Sequence, residues 1–482
     1  MKRAVTLAAL ILAGCTVGPD YHPPAAQVPT SFAETKNSAG LNDQDLATWW
    51  RSFGDPELDA LVNRAVAQNL DVEAAAARIR EARAREIVAG AASKPQVDAQ
   101  GSATRQRISE HAIPVPPGAG GSGGSFGLPG SEFTTFRVGF DASWEIDLFG
   151  RTRRSVEAAR ARSGEALWNR RGVQVSVAAE TADAYLTLRT LQQRIATAEA
   201  ELARQQRYEQ LVAARAKGGL VTGQDLEQQR SERSSAAAAL PGLRAQAEAQ
   251  IHALGVLTGE TPERLIAELS PSKALPPVPP EIPAGLPSDL LRRRPDIRAA
   301  ERELAASSAD IGVAVADLYP RFSLTAAPAL VSTALGSLLD WGSRSFSIGA
   351  ALDWPLLNGG RTHGNIAVAN AKQEQALIAY RKSVLRALQD VEDALSRSDG
   401  DRRQIADLED AMRTTARAED IARTRYRGGL VTYSDVLQAQ ARRLKLEDQL
   451  TESRGNLARD TVALFKALGG GWTELAEAGA QP

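Results

Sequence analysis

The 482-residue chain holds a single cysteine, Cys15, so no internal disulfide can form. Aromatic residues make up only 5% of it. Alanine is abundant instead, and small side chains suit closely packed long helices better than a thick globular core. After residue 15 no run approaches the roughly 20 apolar residues of a spanning helix. Such a chain crosses a bilayer only as a closed β-barrel. The four histidines, His22, His111, His252 and His363, are widely dispersed, and no cluster has metal-ligand spacing. There is no phosphate-binding Gly-Lys loop and no Gly-x-Ser-x-Gly. Gly118–Gly123 fits G-x-G-x-x-G formally, but it lies among prolines with no helix after it, which makes it a surface loop. The formal charge of −1 gives no bulk attraction to nucleic acid. The run Arg292-Arg293-Arg294 reads as a solvated helix start. With no convergent catalytic set, the sequence points away from an enzyme, and neither cofactor nor metal is expected.

What is present is a duplication. From Trp144 onward, residue n matches residue n+210 without a gap for about a hundred residues. Trp144 meets Trp354, Gly150-Arg151-Thr152 meets Gly360-Arg361-Thr362, and Gly218-Gly219-Leu220-Val221-Thr222 meets Gly428-Gly429-Leu430-Val431-Thr432. Ahead of Trp144 the offset is 225, pairing Asp71-Val72 with Asp296-Ile297 and Pro95 with Pro320. The 15-residue difference is the Pro/Gly-rich stretch between Ile113 and Gly130. Each half therefore does the same structural work.

The amino terminus has the order of a bacterial lipoprotein signal. Met1-Lys2-Arg3 is charged, Ala4 to Ala13 is apolar, and Leu12-Ala13-Gly14-Cys15 is a lipobox, so acylation of Cys15 is expected. Thr16 rather than Asp follows the cysteine, which fits delivery to the outer membrane.

Strand signals are clean. From Phe136 to Asp147 every second residue is apolar, and the second half repeats the phase through Phe346, Ile348, Ala350, Leu352, Trp354 and Leu356. Weaker alternation surrounds Val97, Ala99 and Ala103, and again Phe322 and Leu324. Period two over roughly ten residues marks a strand with lipid on one face and water on the other. Each half offers one hairpin, four strands in all. Four cannot close a barrel, whose practical minimum is about eight, so subunits must share it. Two, three or four copies would supply 8, 12 or 16 strands.

The rest reads as helix. Residues 152–217 lack proline and place Ala178, Ala182, Tyr185 and Leu188 at heptad-like intervals, and 362–427 behave alike. Each such helix would be roughly 100 Å long and ends at a Gly-Gly pair. The expected organisation is α+β. A signal occupies 1–14 and a tether 15–55. The first repeat, 56–269, has its β-hairpin near 95–149 and its helical hairpin near 152–258. A Pro-rich linker covers 270–288. The second repeat, 289–468, has its β-hairpin near 320–357 and its helical hairpin near 362–468, and a tail covers 469–482.

These residues resemble the TolC-like outer-membrane factors, in particular the NodT-type lipoprotein branch that serves efflux pumps. The resemblance rests on Cys15-Thr16-Val17-Gly18-Pro19-Asp20-Tyr21, on Trp49-Trp50 with Phe53-Gly54-Asp55-Pro56, and on Trp144-Glu145-Ile146-Asp147-Leu148-Phe149-Gly150. It continues through Leu286-Pro287-Ser288-Asp289, Arg293-Arg294-Pro295-Asp296-Ile297 and Lys466-Ala467-Leu468-Gly469-Gly470-Gly471-Trp472. It implies a homotrimer with a 12-stranded barrel in the outer membrane, continued by an α-helical barrel across the periplasm. A periplasmic adaptor protein and an inner-membrane pump of the RND type would be its partners.

The resemblance also assigns sites. The tips Gly218-Gly219-Leu220-Val221-Thr222 and Gly428-Gly429-Leu430-Val431-Thr432 would meet the adaptor. Ser434, Asp435 and Gln438 fall where the family's tunnel narrows. A single Asp becomes a ring of three carboxylates in a trimer, while Gln438 replaces a frequent second acid and leaves that ring neutral. Asp225 and Tyr426 match a pair that bonds between helices to hold the resting tunnel shut, and Val431 replaces a basic residue that joins such locks. For Asp225 a dipole-favoured place in the first helical turn is nearly as good a reading. The implied function is a passive exit duct for drugs or other small toxic solutes. An exit duct for secreted peptides or proteins and a non-conducting envelope spacer are the alternatives.

Overall fold

The computed structural model describes residues 16–34, 40–109, 132–280 and 282–472. The signal segment, the expected acylation site Cys15, the 113–130 insertion and the tail from 473 onward lie outside the described residues. Among the described residues the helices, in chain order, are α1 (Asp43–Ala47), α2 (Pro56–Gln68), α3 (Leu70–Ala91), α4 (Arg151–Lys217), α5 (Gly223–Thr258), α6 (Pro262–Leu269), α7 (Pro287–Arg293), α8 (Pro295–Ala316), α9 (Arg361–Arg427) and α10 (Tyr433–Ala467). The strands are β1 (Gln96–Arg107), β2 (Glu132–Ile146), β3 (Arg321–Ala326), β4 (Ala329–Ser332), β5 (Arg344–Ser345) and β6 (Ile348–Asp353). The chain divides into two compact units, Met1–Pro23 with Glu81–Ser163 and Arg302–Leu377, and Pro24–Arg80 with Gly164–Glu301 and Ile378–Pro482.

The first unit carries an antiparallel sheet in the order β5-β4-β2-β3-β6, with β1 also paired to β2. Six strands form where the alternation predicts four. The break falls at a proline. Pro328 has no N–H for the ladder, so the ribbon from Arg321 to Ser332 breaks into β3 and β4, and the Pro328 carbonyl instead accepts from Phe140 N at 2.9 Å. Opposite it the second ribbon breaks between β5 and β6. The register sets Ala99 beside Phe140, Gly101 beside Val138, Trp144 beside Leu324 and Phe322 beside Leu352, so the apolar phases share one face. On that face Val97, Phe140, Phe346, Ile348 and Leu352 are each more than half exposed. Trp144 and Trp354 occupy equivalent places in the two halves. Their indole N–H groups donate to Ser93 O and Leu318 O, each at 3.0 Å.

The start of the expected tether is fixed within this unit. A Cβ on Gly18 would lie 2.4 Å from Gly312 Cα, so the two backbones touch. The buried guanidinium of Arg154 donates to Val17 O at 3.2 Å and to Asp20 Oδ1 at 2.7 Å.

The second unit is helical and holds the main core. Ala178, Ala182, Tyr185 and Leu188 are fully buried as their spacing predicts, with Ala387, Ala394 and Ala458 beside them in the same cluster. Alanine at these crossings lets helices approach closely. Pro241 sits inside α5 without ending it. α5 stops at Gly259 (φ +71°), where a Cβ would meet Gln68 O at 2.7 Å.

Three expectations need correction here. The tether does not extend to 55. Trp49, Trp50 and Phe53 are core residues, with Trp49 stacked on Phe465 at 5.1 Å. The tail does not begin at 469, because Trp472 packs edge-on against Trp168 at 5.2 Å and donates to Arg293 O at 3.1 Å. The run Arg292-Arg293-Arg294 is not solvated throughout. Arg294 is buried, donating to Asp296 Oδ2 at 2.7 Å, Asp390 Oδ2 at 2.9 Å and Ala467 O at 3.1 Å. Pro295 closes α7 at that arginine, which frees its side chain to clasp three segments.

Among the described residues no helix is long and apolar enough to cross a membrane.

Candidate functional site

The two helical hairpins of the second unit end in turns of the same construction. At the first, Gly218 N donates to Ala214 O (3.2 Å), Gly219 N to Ala216 O (3.0 Å) and Leu220 N to Arg215 O (2.9 Å). At the second, Gly428, Gly429 and Leu430 donate to Thr424, Tyr426 and Arg425 carbonyls at 3.2, 3.0 and 3.0 Å. Gly219 (φ +70°) and Gly429 (φ +72°) supply the left-handed residue that ends each long helix. Leu220 and Leu430 then project into solvent, 76% and 77% exposed. Val221 and Val431 turn partly inward.

Each returning helix starts with a threonine and an acid three residues on. Asp225 Oδ2 accepts from Thr222 N at 2.9 Å and from its hydroxyl at 2.8 Å. Asp435 Oδ2 does the same with Thr432, at 2.8 and 2.7 Å. The Thr432 hydroxyl and backbone N–H hold the Asp435 carboxyl below the usual carboxylate range. Asp435 and Gln438 lie three apart on one exposed face of α10, with Ser434 half-buried beside them.

The expected Asp225–Tyr426 pairing does not form in the chain. Asp225 bonds to Thr222 instead, the first-turn role that was the other reading of its position. The Tyr426 hydroxyl accepts instead from Arg215 Nη1 at 3.0 Å, which links α4 to α9. The basic partner absent at Val431 is thus supplied from the other hairpin.

Behind the tips lies a buried network that sequence reading missed. The Tyr433 hydroxyl donates to Gln229 Oε1 at 2.8 Å. Gln229 Nε2 donates to Gln205 O at 3.1 Å and to Gln205 Oε1 at 2.6 Å, and Gln205 Nε2 donates to Glu201 Oε1. One chain of bonds ties α10 to α5 and α5 to α4. It sits against Val212, Val436 and Leu437, and Tyr426 packs on Tyr433 with ring centroids 5.3 Å apart. Burial pushes the Tyr433 hydroxyl far up, so it remains a proton donor. A signal existed in the repeat. Tyr433 stands opposite Gly223, Gln229 opposite Ala439, and Tyr426 opposite Ala216. The halves diverge where the network is built.

The exposed apolar row of the sheet and the two long helical hairpins with matching tips are the fold of outer-membrane channels. Residues 61–260 and 286–470 match the family described as outer membrane efflux protein, and the chain belongs to it. The chain is 34% identical to the pyoverdine export outer membrane protein OpmQ of Pseudomonas aeruginosa, over 90% of each chain. It is 31% identical to nodulation protein T of Rhizobium leguminosarum bv. viciae, covering 98% of this chain and 94% of that one. The solved structure of the outer-membrane channel OprN shares its fold with a TM-score of 0.85 and 33% identity, covering 95% of this chain and all of that one. By name OpmQ is an export outer membrane protein and OprN an outer-membrane channel. This chain is an outer-membrane efflux channel.

Proposed function

We propose that the chain is the exit duct of a tripartite efflux system. Three copies would pool their ribbons, β1, β2, β3–β4 and β5–β6, into a 12-stranded barrel. The helical hairpins would continue it as an α-barrel, and Cys15 would carry the lipid. The tips at 218–222 and 428–432 receive a periplasmic adaptor, which couples the duct to an inner-membrane pump of the RND type. The observation that carries this reading is the pair of tips. Two turns of one geometry, at equivalent places in the two halves, each present an exposed leucine to a partner.

Cargo passes without chemical change. Asp435 supplies the acidic ring of the mouth and Ser434 and Gln438 its neutral lining. Arg215–Tyr426 and Tyr433–Gln229–Gln205 hold the resting tip together until adaptor contact biases it open. The relatives named above and other members export pyoverdine, cations or toluene according to their names. Small toxic solutes are the corresponding cargo class here.

Class averaging of the detergent-extracted protein by electron microscopy tests the assembly. Threefold end views around a central lumen are expected. Monomers, or solid rods without a lumen, would return the chain to a spacer role.

A further inference from the structure

The lipid-facing phase of the sheet does not end in apolar residues. Reading up β6 and β5 from Trp354, that face carries Leu352, Ala350, Ile348 and Phe346, and then Arg344. The register confirms the placement, since Arg344 pairs with Leu330 and Leu330 with Val138. An arginine on a lipid-facing phase is costly at mid-depth and nearly free at the interface. Its height is therefore informative. Ten residues separate Arg344 from Trp354. At about 3.3 Å per residue and a tilt near 40° this is about 25 Å of depth, the height of the apolar band of a membrane barrel. Trp354 lies at the end next to the helices, so Arg344 lies at the far edge of the band.

Its surroundings suit a headgroup. The Arg344 guanidinium lies over the Trp341 ring, 3.9 Å from its centroid. Among the described residues no carboxylate pairs with it. Trp341 is 78% exposed and Leu339 82% exposed on the same short loop. The first half repeats the device. Arg105 pairs with Thr134, the position that matches Arg344 at the 210-residue offset that holds beyond the 113–130 insertion, and it too lies on the apolar phase, ten residues above the level of Trp144. There Glu132 Oε2 accepts from Arg105 at 2.9 Å.

We propose that Arg344 and Trp341, at the outer rim of the barrel, bind the phosphate-bearing headgroup of an outer-leaflet lipid while Leu339 enters its acyl layer. This rests on the duct reading, which makes that face lipid-exposed. The guanidinium presents parallel N–H donors to phosphate oxygens. The indole anchors at the interface and fixes the guanidinium over its ring. Arg105 supplies a second, weaker point of attachment because it shares its charge with Glu132.

The test reconstitutes the full chain into phosphatidylcholine vesicles containing a minor fraction of phosphatidic acid. Native mass spectrometry then counts the lipids that remain after extraction, and conductance is recorded on the same sample. Wild type is expected to retain phosphatidic acid over phosphatidylcholine. Arg344→Ala should lower retained phosphatidic acid about fivefold with conductance unchanged. Trp341→Ala should lower it as well, and Arg344→Lys should keep most of it. Equal retention by wild type and Arg344→Ala overturns the proposal, as does a wild type indifferent to the two lipids. Complete displacement by inorganic phosphate would mark a soluble-anion site and also overturn it. A wild type that neither inserts nor conducts would sink the barrel reading itself, and this site with it.

Discussion

Replacing Tyr433 with Phe removes one hydroxyl from the base of the tip and leaves the ring. The packing of that ring against Tyr426 (5.3 Å) and Tyr208 (6.4 Å) is retained. What is lost is the bond to Gln229 Oε1, on a side chain with no exposed surface. A buried acceptor left without its donor costs about 1–3 kcal/mol, because the site is too dry for water to replace the hydroxyl. If the bond belongs to the resting tip and breaks on opening, that cost falls on the closed state alone. The closed-to-open ratio then drops roughly 5- to 150-fold. Single-channel recording in planar bilayers reads this as open probability, with trimer content measured in parallel. A Tyr433→Phe channel that assembles normally and stays within about twofold of wild-type open probability would refute the assignment, since 1 kcal/mol already exceeds that. A double-mutant cycle with Gln229→Leu separates the pairwise bond from general loosening, because contacting residues couple by about 0.5 kcal/mol or more.

The other expectations follow from the same geometry. Asp435→Ala should leave assembly intact and lower the preference for cations over anions in reversal-potential measurements, whereas unchanged selectivity removes Asp435 from the mouth. The double variant Leu220→Asp with Leu430→Asp should fold and conduct as wild type yet fail to support efflux in cells, because the tips would no longer bury apolar surface on an adaptor. Arg189→Ala should destabilise the second unit by about 1–3 kcal/mol, since Lys273 still pairs with Glu57 at 2.8 Å while the other acceptors lose their donor. That fully buried guanidinium pairs with Glu57 and donates to Gln192 Oε1 at 2.6 Å and Pro271 O at 3.1 Å, and calorimetry would detect the loss. Asp401 is pushed up to about 6, first by burial and then by the Asp460 carboxylate. Because the folded chain holds that proton more tightly than the unfolded chain, its contribution is full in acid and is lost as pH rises from about 4 to about 6. Asp401→Asn should flatten the stability profile in that window, and an unchanged slope would assign it to other groups.

The sequence by itself determined the periodic elements and their pairing into halves. Period-two alternation needs only a polar face and an apolar face, so the ribbons through Phe140 and Ile348 were legible in it. Gly-Gly followed by Thr-x-x-Asp encodes a helix stop and a helix start within a few residues, so both tips were legible too. Only the tertiary structure decided what depends on residues far apart in the chain. Pro328 splits a ribbon because of where Phe140 lies across from it. Arg294 becomes a clasp because Asp390 and Ala467 approach it, and Trp49 becomes core because Phe465 stacks on it. At the tip, Tyr426 finds Arg215 and Tyr433 finds Gln229, at separations of 211 and 204 residues. Hydrogen-bond partners are chosen by distance and angle in space, and a repeat constrains these only where its halves agree. The network lies where they differ, so the fold had to choose its partners.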